Sequence, residues 1–364
     1  MYTEHIVSPT LILDTKKCKR NIQFMVEKSK KHNLIFRPHF KTHQSRIIGS
    51  WYKQLGINKI TVSSLQMAEY FANDDWNDIT VAFPLNIREI DTINSLAEEI
   101  QLNITVENTE SIEFLKKELK FDVGFFIKID TGYGRTGISF DIFLIIDKIL
   151  NSASEIDKLE FKGFLSHAGN TYQAKDTDEI LDIHQDALHK LSLLRKQYIN
   201  KYPDLIISTG DTPSCSLAND FNGIDEIRPG NFVFYDLTQY KLGSCAFEKV
   251  SIAMACPVVA KHSNRNEIII YGGGVHFSKE FIEINDQKVF GQLVELTPKG
   301  WEILEEELFL TKVSQEHGTL KVSDEVFEKL NIGDLVGIIP IHSCMTANLM
   351  KEYLSTDSDI IDHY

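Results

Sequence analysis

The heptad Arg37-Pro38-His39-Phe40-Lys41-Thr42-His43 sets one lysine among an arginine and two histidines, just after the apolar, strand-like run Asn33-Leu34-Ile35-Phe36. Neighbouring positive charge and partial burial favour the neutral amine, a nucleophile that can condense with an aldehyde to a Schiff base. The same heptad could instead be a basic loop that binds an anion. Far along the chain, Pro340-Ile341-His342-Ser343-Cys344-Met345-Thr346 spaces a histidine and a cysteine two apart. In an extended segment both project to one face and could ligate a single metal ion. Two ligands leave a structural site incomplete but suit a catalytic one finished by water or substrate, and imidazole with thiolate favours zinc over magnesium or calcium. The alternative is a buried cysteine beside a structural histidine.

Four further segments carry candidate groups. Lys128-Ile129-Asp130-Thr131-Gly132-Tyr133-Gly134-Arg135-Thr136-Gly137 follows an apolar strand, and Arg135 offers a rigid fork of donors to an oxyanion or a ring heteroatom. Its spacing is neither a dinucleotide fingerprint nor a Walker loop. In Phe164-Leu165-Ser166-His167-Ala168-Gly169 a strand ends on His167, which could stack on a flat cofactor or serve structure alone. Ser208-Thr209-Gly210-Asp211-Thr212 ends another strand with hydroxyls and free amides suited to a phosphate, and Arg228-Pro229-Gly230-Asn231 closes the next.

These groups sit at the tips of a recurring pattern. Strand-like runs fall at 34–37, 59–63, 78–82, 103–106, 123–129, 161–166 and 205–208, with an eighth near 223–228, separated mostly by amphipathic stretches. About eight such units predict a closed (β/α)8 TIM-type barrel, whose active sites gather at the carboxyl ends of the strands; an open doubly wound sheet is the alternative. After about residue 245 short strands divided by Gly, Asn, Asp and Pro predict a mainly antiparallel β domain, with one helix near 298–306. The expected division is a barrel over 15–245 and a β domain of 246–364 together with 1–14, with an acidic, loosely held tail from Ser355.

Composition narrows the function. The formal charge of −14 argues against a nucleic-acid or anionic-membrane partner and leaves room for a local basic pocket that holds a small anionic ligand. Five scattered cysteines predict reduced thiols in a cytoplasmic protein rather than a disulfide framework. No apolar run is long enough to span a bilayer, and Met1-Tyr2-Thr3-Glu4-His5 lacks the pattern of a secretory leader.

Taken together, the lysine heptad and the His-x-Cys segment resemble those of the D-threonine aldolase and eukaryotic-type D-serine dehydratase family, pyridoxal-phosphate enzymes with an alanine-racemase-like barrel. Matching segments run from about residue 8 to about residue 350. The resemblance implies that Lys41 holds the cofactor covalently and serves as the base at Cα. It sets His167 against the pyridine ring, Tyr172 near the ring nitrogen and Arg135 at the ring's polar edge. Thr209, Gly210, Gly230 and Asn231 would cradle the phosphate, and His342 and Cys344 would bind zinc, with manganese as the alternative. Cysteine as second ligand points to the dehydratase side, where aldolases typically carry aspartate. One departure is Tyr271-Gly272-Gly273-Gly274-Val275-His276-Phe277-Ser278, where relatives carry an Asp-Ala-Gly-type segment; His276 there is a turn residue or a further substrate or metal contact. The activity implied is lyase chemistry on a D-3-hydroxy amino acid, with retro-aldol cleavage, racemisation or a non-catalytic PLP carrier as alternatives, in a homodimer.

Overall fold

The computed structural model describes residues 3–364. Two compact units divide the chain: one of Gln23–Lys41 and Gly49–Gly230, the other of the residues up to Ile22, Thr42–Ile48 and Asn231–Tyr364.

In the first unit eight parallel strands follow one another around a ring: Ile35–Phe36, Ile60–Val62, Asp78–Pro84, Gln101–Val106, Val123–Asp130, Leu159–Ser166, Ile206–Thr209 and Glu226–Ile227. Ile35 pairs with Glu226, joining first strand to last. The Thr61 amide donates to Pro38 O at 2.9 Å and the Phe40 amide to Thr61 O at 2.8 Å, which closes the ring between first and second. The result is an eight-stranded α/β barrel, as the spacing of apolar runs predicts. In Val123–Asp130 the apolar Val123, Phe125, Ile127 and Ile129 alternate with Gly124, Phe126 and Lys128. Successive side chains of a strand point to opposite faces, so this alternation leaves Lys128 opposite the aliphatic set.

The inner face carries charge. Arg37 donates from one guanidinium nitrogen to Asp78 Oδ1 at 2.5 Å and from Nε to Glu226 Oε2 at 2.7 Å. Asp78 lies two strands away, so that bond spans the barrel interior rather than running along its wall. Glu226 also accepts from Ser208 Oγ at 2.6 Å, and Asp78 from Lys59.

The second unit is antiparallel. Glu267–Tyr271, His317–Lys321, Phe309–Val313, Gly291–Thr297, Leu335–Pro340 and Ile252–His262 pair in that order. The long Ile252–His262 strand also pairs back to Glu267–Tyr271 beyond an irregularity between Val258 and Ala260, so the six strands form a closed ring. Thr10–Leu13 adds to the strand Ile252–His262, and Tyr353–Ser355 adds to Thr10–Leu13.

Two expectations are corrected. The stretch 298–306 is no helix: Gly291–Thr297 turns back into the strand Gly300–Ile303, with Leu296 opposite Trp301. Pro298 and Gly300, the latter at φ +138°, make a turn, and the cross-strand pairing buries Trp301. The tail from Ser355 is not loose. Asp362 accepts from Ser45 Oγ at 2.6 Å and from the Arg46 and Ile47 amides at 2.8 and 3.1 Å, meeting donors that the helix Arg46–Gln54 leaves open at its start.

The Arg37 network yields a stability prediction. Removing one partner of a buried ion pair strands the others, so Arg37→Met lowers unfolding free energy by about 3–5 kcal/mol, read from the urea midpoint. Combining it with Asp78→Asn and Glu226→Gln recovers part of that loss; no recovery would show that the carboxylates are not what Arg37 neutralises.

Candidate active site

Lys41 and His39 lie past the carboxyl end of the first barrel strand, both half-buried. His39 Nδ1 faces the Lys41 amide at 3.4 Å. Burial, and then the nearby charges of Lys41, Arg228, His167 and Lys128, hold the His39 imidazole well below its ordinary range. His167 is depressed likewise, by burial first and then by Lys41, Lys128 and Arg135, while its Nδ1 contacts Gly210 O at 3.3 Å. A cluster of cations thus gathers at the tips of several barrel strands.

The sequence misattributes the source of that crowding. Arg37 is turned into the barrel and neutralised by Asp78 and Glu226. His43 is buried and uncharged, pushed down to about 3 by burial and then by His363, with Nδ1 accepting the Ser45 amide at 3.1 Å. The charge comes instead from Lys128 and Arg228, neither of which the motifs single out. The Lys128 side chain is 5% exposed and makes no hydrogen bond or ion pair among the described residues; burial, then Arg228 and Arg135, bring it down to about 7. Arg228, 3% exposed, donates to Ser208 Oγ at 2.7 Å and to the carbonyls of Ser166 and Ser208. All these partners are neutral oxygens, and burial lowers the guanidinium to about 10. A lysine at the inward position of an alternating strand was the available signal for Lys128.

The remaining expected residues of this unit sit around the cluster. Arg135 is exposed, its guanidinium 5.0 Å above the Tyr133 ring. Tyr172 lies with its ring tilted toward His167 at 6.3 Å, and its hydroxyl accepts the Thr212 amide at 3.3 Å. Thr209 and Gly210 end one strand, and Gly230 follows the next. Gly210 has φ +132°, and a Cβ there would lie 2.8 Å from the Arg228 nitrogen, so the position admits glycine alone without a shift. An excess of buried positive charge beside free strand-tip amides fits an anionic, phosphorylated aldehyde.

In the second unit His342 and Cys344 do come together, by a different route from the one expected. The strand Leu335–Pro340 has ended, His342 caps a helix that spans Ser343–Met350, and Cys344 stands in its first turn. A strand–helix junction rather than strand alternation pairs them. Asn231 belongs here: its Nδ2 donates to Asp236 Oδ2 at 2.6 Å and Ser343 Oγ at 2.8 Å, and lies 3.7 Å from Cys344 Sγ. Its side chain is therefore committed away from a phosphate cradle. Thr42 Oγ1, next in the chain after Lys41, is 3.2 Å from Cys344 Sγ. His342 Nδ1 meets Glu280 Oε2 at 2.5 Å. Burial opposes the charge on His342, yet Cys344, Glu280 and Asp236 outweigh it and raise the imidazole to about 11. An imidazole beside a thiol and the Glu280 carboxylate has the donor set for a divalent cation. Among the described residues no three His, Cys, Asp or Glu side chains form a ready metal cage. His276 is a turn residue: its Nδ1 accepts the Gly273 amide at 3.1 Å.

Comparison with known proteins defines the class first. Residues 13–237 match the family model "Alanine racemase, N-terminal domain", and residues 251–356 match "Putative serine dehydratase domain". The chain is 27% identical to D-serine dehydratase of Dictyostelium discoideum, covering 97% of this chain and 94% of that protein. It is 25% identical to D-threo-3-hydroxyaspartate dehydratase of a Delftia species, again over 97% and 94%. A metal-free variant of D-threo-3-hydroxyaspartate dehydratase superposes with a TM-score of 0.91 at 23% identity, over 99% of this chain and 98% of that one. The chain belongs to the alanine-racemase-like, pyridoxal-phosphate-dependent family, and its C-terminal part matches the serine dehydratase domain.

Lys128 gives a pH prediction. Its folded value of about 7 lies below the ordinary 10.5. Between those limits the unfolded chain binds the extra proton, so stability rises with pH across the window and the penalty is full below it. In cofactor-free protein, Lys128→Met raises the melting temperature at pH 6.5, and the gain shrinks as pH approaches 10. A gain that does not change with pH contradicts this reading of Lys128.

Proposed function

We propose that this protein is a pyridoxal-phosphate- and divalent-metal-dependent lyase acting on D-3-hydroxy amino acids, with the dehydration of D-serine to pyruvate and ammonia as its reaction. The observation that carries this reading is the thiol–imidazole pair of His342 and Cys344 in the same chain as a lysine set among buried cations. A racemase needs a base on each face of the substrate carbon and no metal, and a PLP carrier needs neither.

When bound, pyridoxal phosphate supplies an electron sink for the carbanion at Cα, and the metal supplies a Lewis acid for the 3-hydroxyl. Lys41 would hold the cofactor, and its Nζ would take the Cα proton. Arg228 and Lys128 would offset the cofactor's negative charge from inside the barrel, while Thr209, Gly210 and Gly230 would offer backbone donors to its phosphate. Arg135 would serve the ring's polar edge, His167 would pack on the ring, and Tyr172, whose hydroxyl accepts the Thr212 amide, would lie near its nitrogen. His342 and Cys344 hold the metal, and their softness favours zinc, with manganese as the alternative. Loss of the 3-hydroxyl as water leaves an enamine that hydrolyses to pyruvate and ammonia.

A cytoplasmic homodimer with a small-molecule substrate, and neither nucleic-acid nor membrane partner, completes the proposal. None of the five cysteines is in a disulfide, the state a reducing compartment maintains. No helix among the described residues is long and apolar enough to cross a membrane.

Protein reconstituted with pyridoxal phosphate and zinc should release pyruvate and ammonia in equal amounts from D-serine, and EDTA should lower the rate by roughly 100-fold or more until zinc is restored. Lys41→Ala should abolish both turnover and the visible absorbance of the covalently held cofactor. Acetaldehyde and glycine from D-threonine in place of pyruvate would favour the aldolase, and EDTA-insensitive interconversion of D- and L-amino acids would favour a racemase.

A further inference from the structure

Glu280 belongs to no motif and lies 62 residues from the histidine it touches, His342. Its side chain is 49% exposed and that of His342 37%, so the contact is not needed to satisfy a buried charge. The segment before it is nevertheless built with close tolerances. A Cβ on Gly272 would lie 2.6 Å from Cys256 Sγ, and one on Gly273 would lie 2.5 Å from Gln315 O. The amides of Gly272 and Gly274 donate to Glu316 O and Ser314 O at 2.9 and 2.6 Å, stitching the segment to the hairpin beside it. The turn Gly274–Phe277 packs on the helix Ser343–Met350, which His342 caps. Ser278 then takes φ +72°, a strained choice for a residue with a side chain, and its Oγ accepts the Glu280 amide at 3.1 Å. Each constraint acts on the path that brings Glu280 to His342.

We infer that Glu280 is a positioning residue for metal binding: its carboxylate accepts a hydrogen bond from the Nδ1–H of His342, fixes that tautomer and ring orientation, and leaves Nε2 as the nitrogen presented to the metal. The Tyr271–Ser278 segment, which departs from the resembling family at this place, is the scaffold that delivers it. A histidine ligand whose second nitrogen donates to a carboxylate is oriented before the ion arrives and is more basic toward it. Glu280 also brings a negative charge that, with Cys344, balances a divalent ion. The inference rests on the reading of His342 and Cys344 as metal ligands.

Zinc affinity, measured by competition with a chromophoric chelator on the full chain, tests it without recourse to turnover. Glu280→Ala should weaken zinc binding by roughly 10- to 100-fold. Glu280→Gln, isosteric at a half-exposed position and still able to accept from Nδ1, should fall between Ala and the parent protein. The urea midpoint and the visible absorbance of the bound cofactor should stay unchanged in both, which a merely structural role would not allow. Parent-like zinc affinity in both variants, with His342→Ala binding weakly, overturns the role of Glu280 and leaves the metal site standing. Parent protein that binds no zinc, or His342→Ala that binds as tightly as the parent, overturns the metal site and the role of Glu280 with it.

Discussion

Charge inside the barrel is the constraint to which the rest of the first unit answers. A cation buried without a partner costs several kcal/mol, and a fold tolerates it only where something offsets the charge. Arg37 is offset from within, by Asp78 and Glu226. Arg228 and Lys128 are offset only in part: the first is bonded to neutral oxygens with Glu226 nearby, and the second has Glu107 nearby but stands mostly among other cations. The unit therefore holds an unspent attraction for an anion at the tips of its strands, where Lys41 stands with half-buried His39 and His167. A phosphorylated aldehyde brings both the anion and the group with which an amine can react.

The second unit solves the opposite problem. Around His342 the charges are negative, from Cys344, Glu280 and Asp236, and the imidazole is held protonated by them. Asp236 is itself occupied, accepting the Ser343 amide at 3.0 Å and Asn231 Nδ2 at 2.6 Å, so it fixes the start of the Ser343–Met350 helix and thereby the position of Cys344. A local excess of cations at the strand tips of one unit suits an anionic ligand, and the anionic groups around His342 in the other suit a metal cation.

Local spacing made part of this legible. The barrel could be read because each of its strands is a short apolar run followed by an amphipathic stretch, and Lys41 and the His-x-Cys pair because reactive residue types stood close together in the chain. What spacing cannot carry is register. Lys128 reads as one charge in an apolar strand until the pairing of Ile127 with Phe164 and of Ile129 with Ser166 fixes which face it occupies. Arg37 was misread as crowding Lys41 because its partners, Asp78 and Glu226, are remote in sequence. Glu280 was invisible for the same reason. The 298–306 stretch looked helical by composition, whereas the proline–glycine turn and the cross-strand seat of Trp301 decide it for strand. Asp362 looked like tail charge because its acceptor role depends on amides at Arg46 and Ile47.

Two lysines, Lys41 and Lys128, stand in one cation cluster, and the covalent link is proposed at the first alone. Borohydride reduction of the pyridoxal-phosphate-loaded protein, followed by proteolysis and mass mapping, reads that assignment directly. One reduced cofactor adduct is expected, on the peptide bearing Lys41, with Lys128 unmodified. An adduct on Lys128, or none on either lysine, would contradict it.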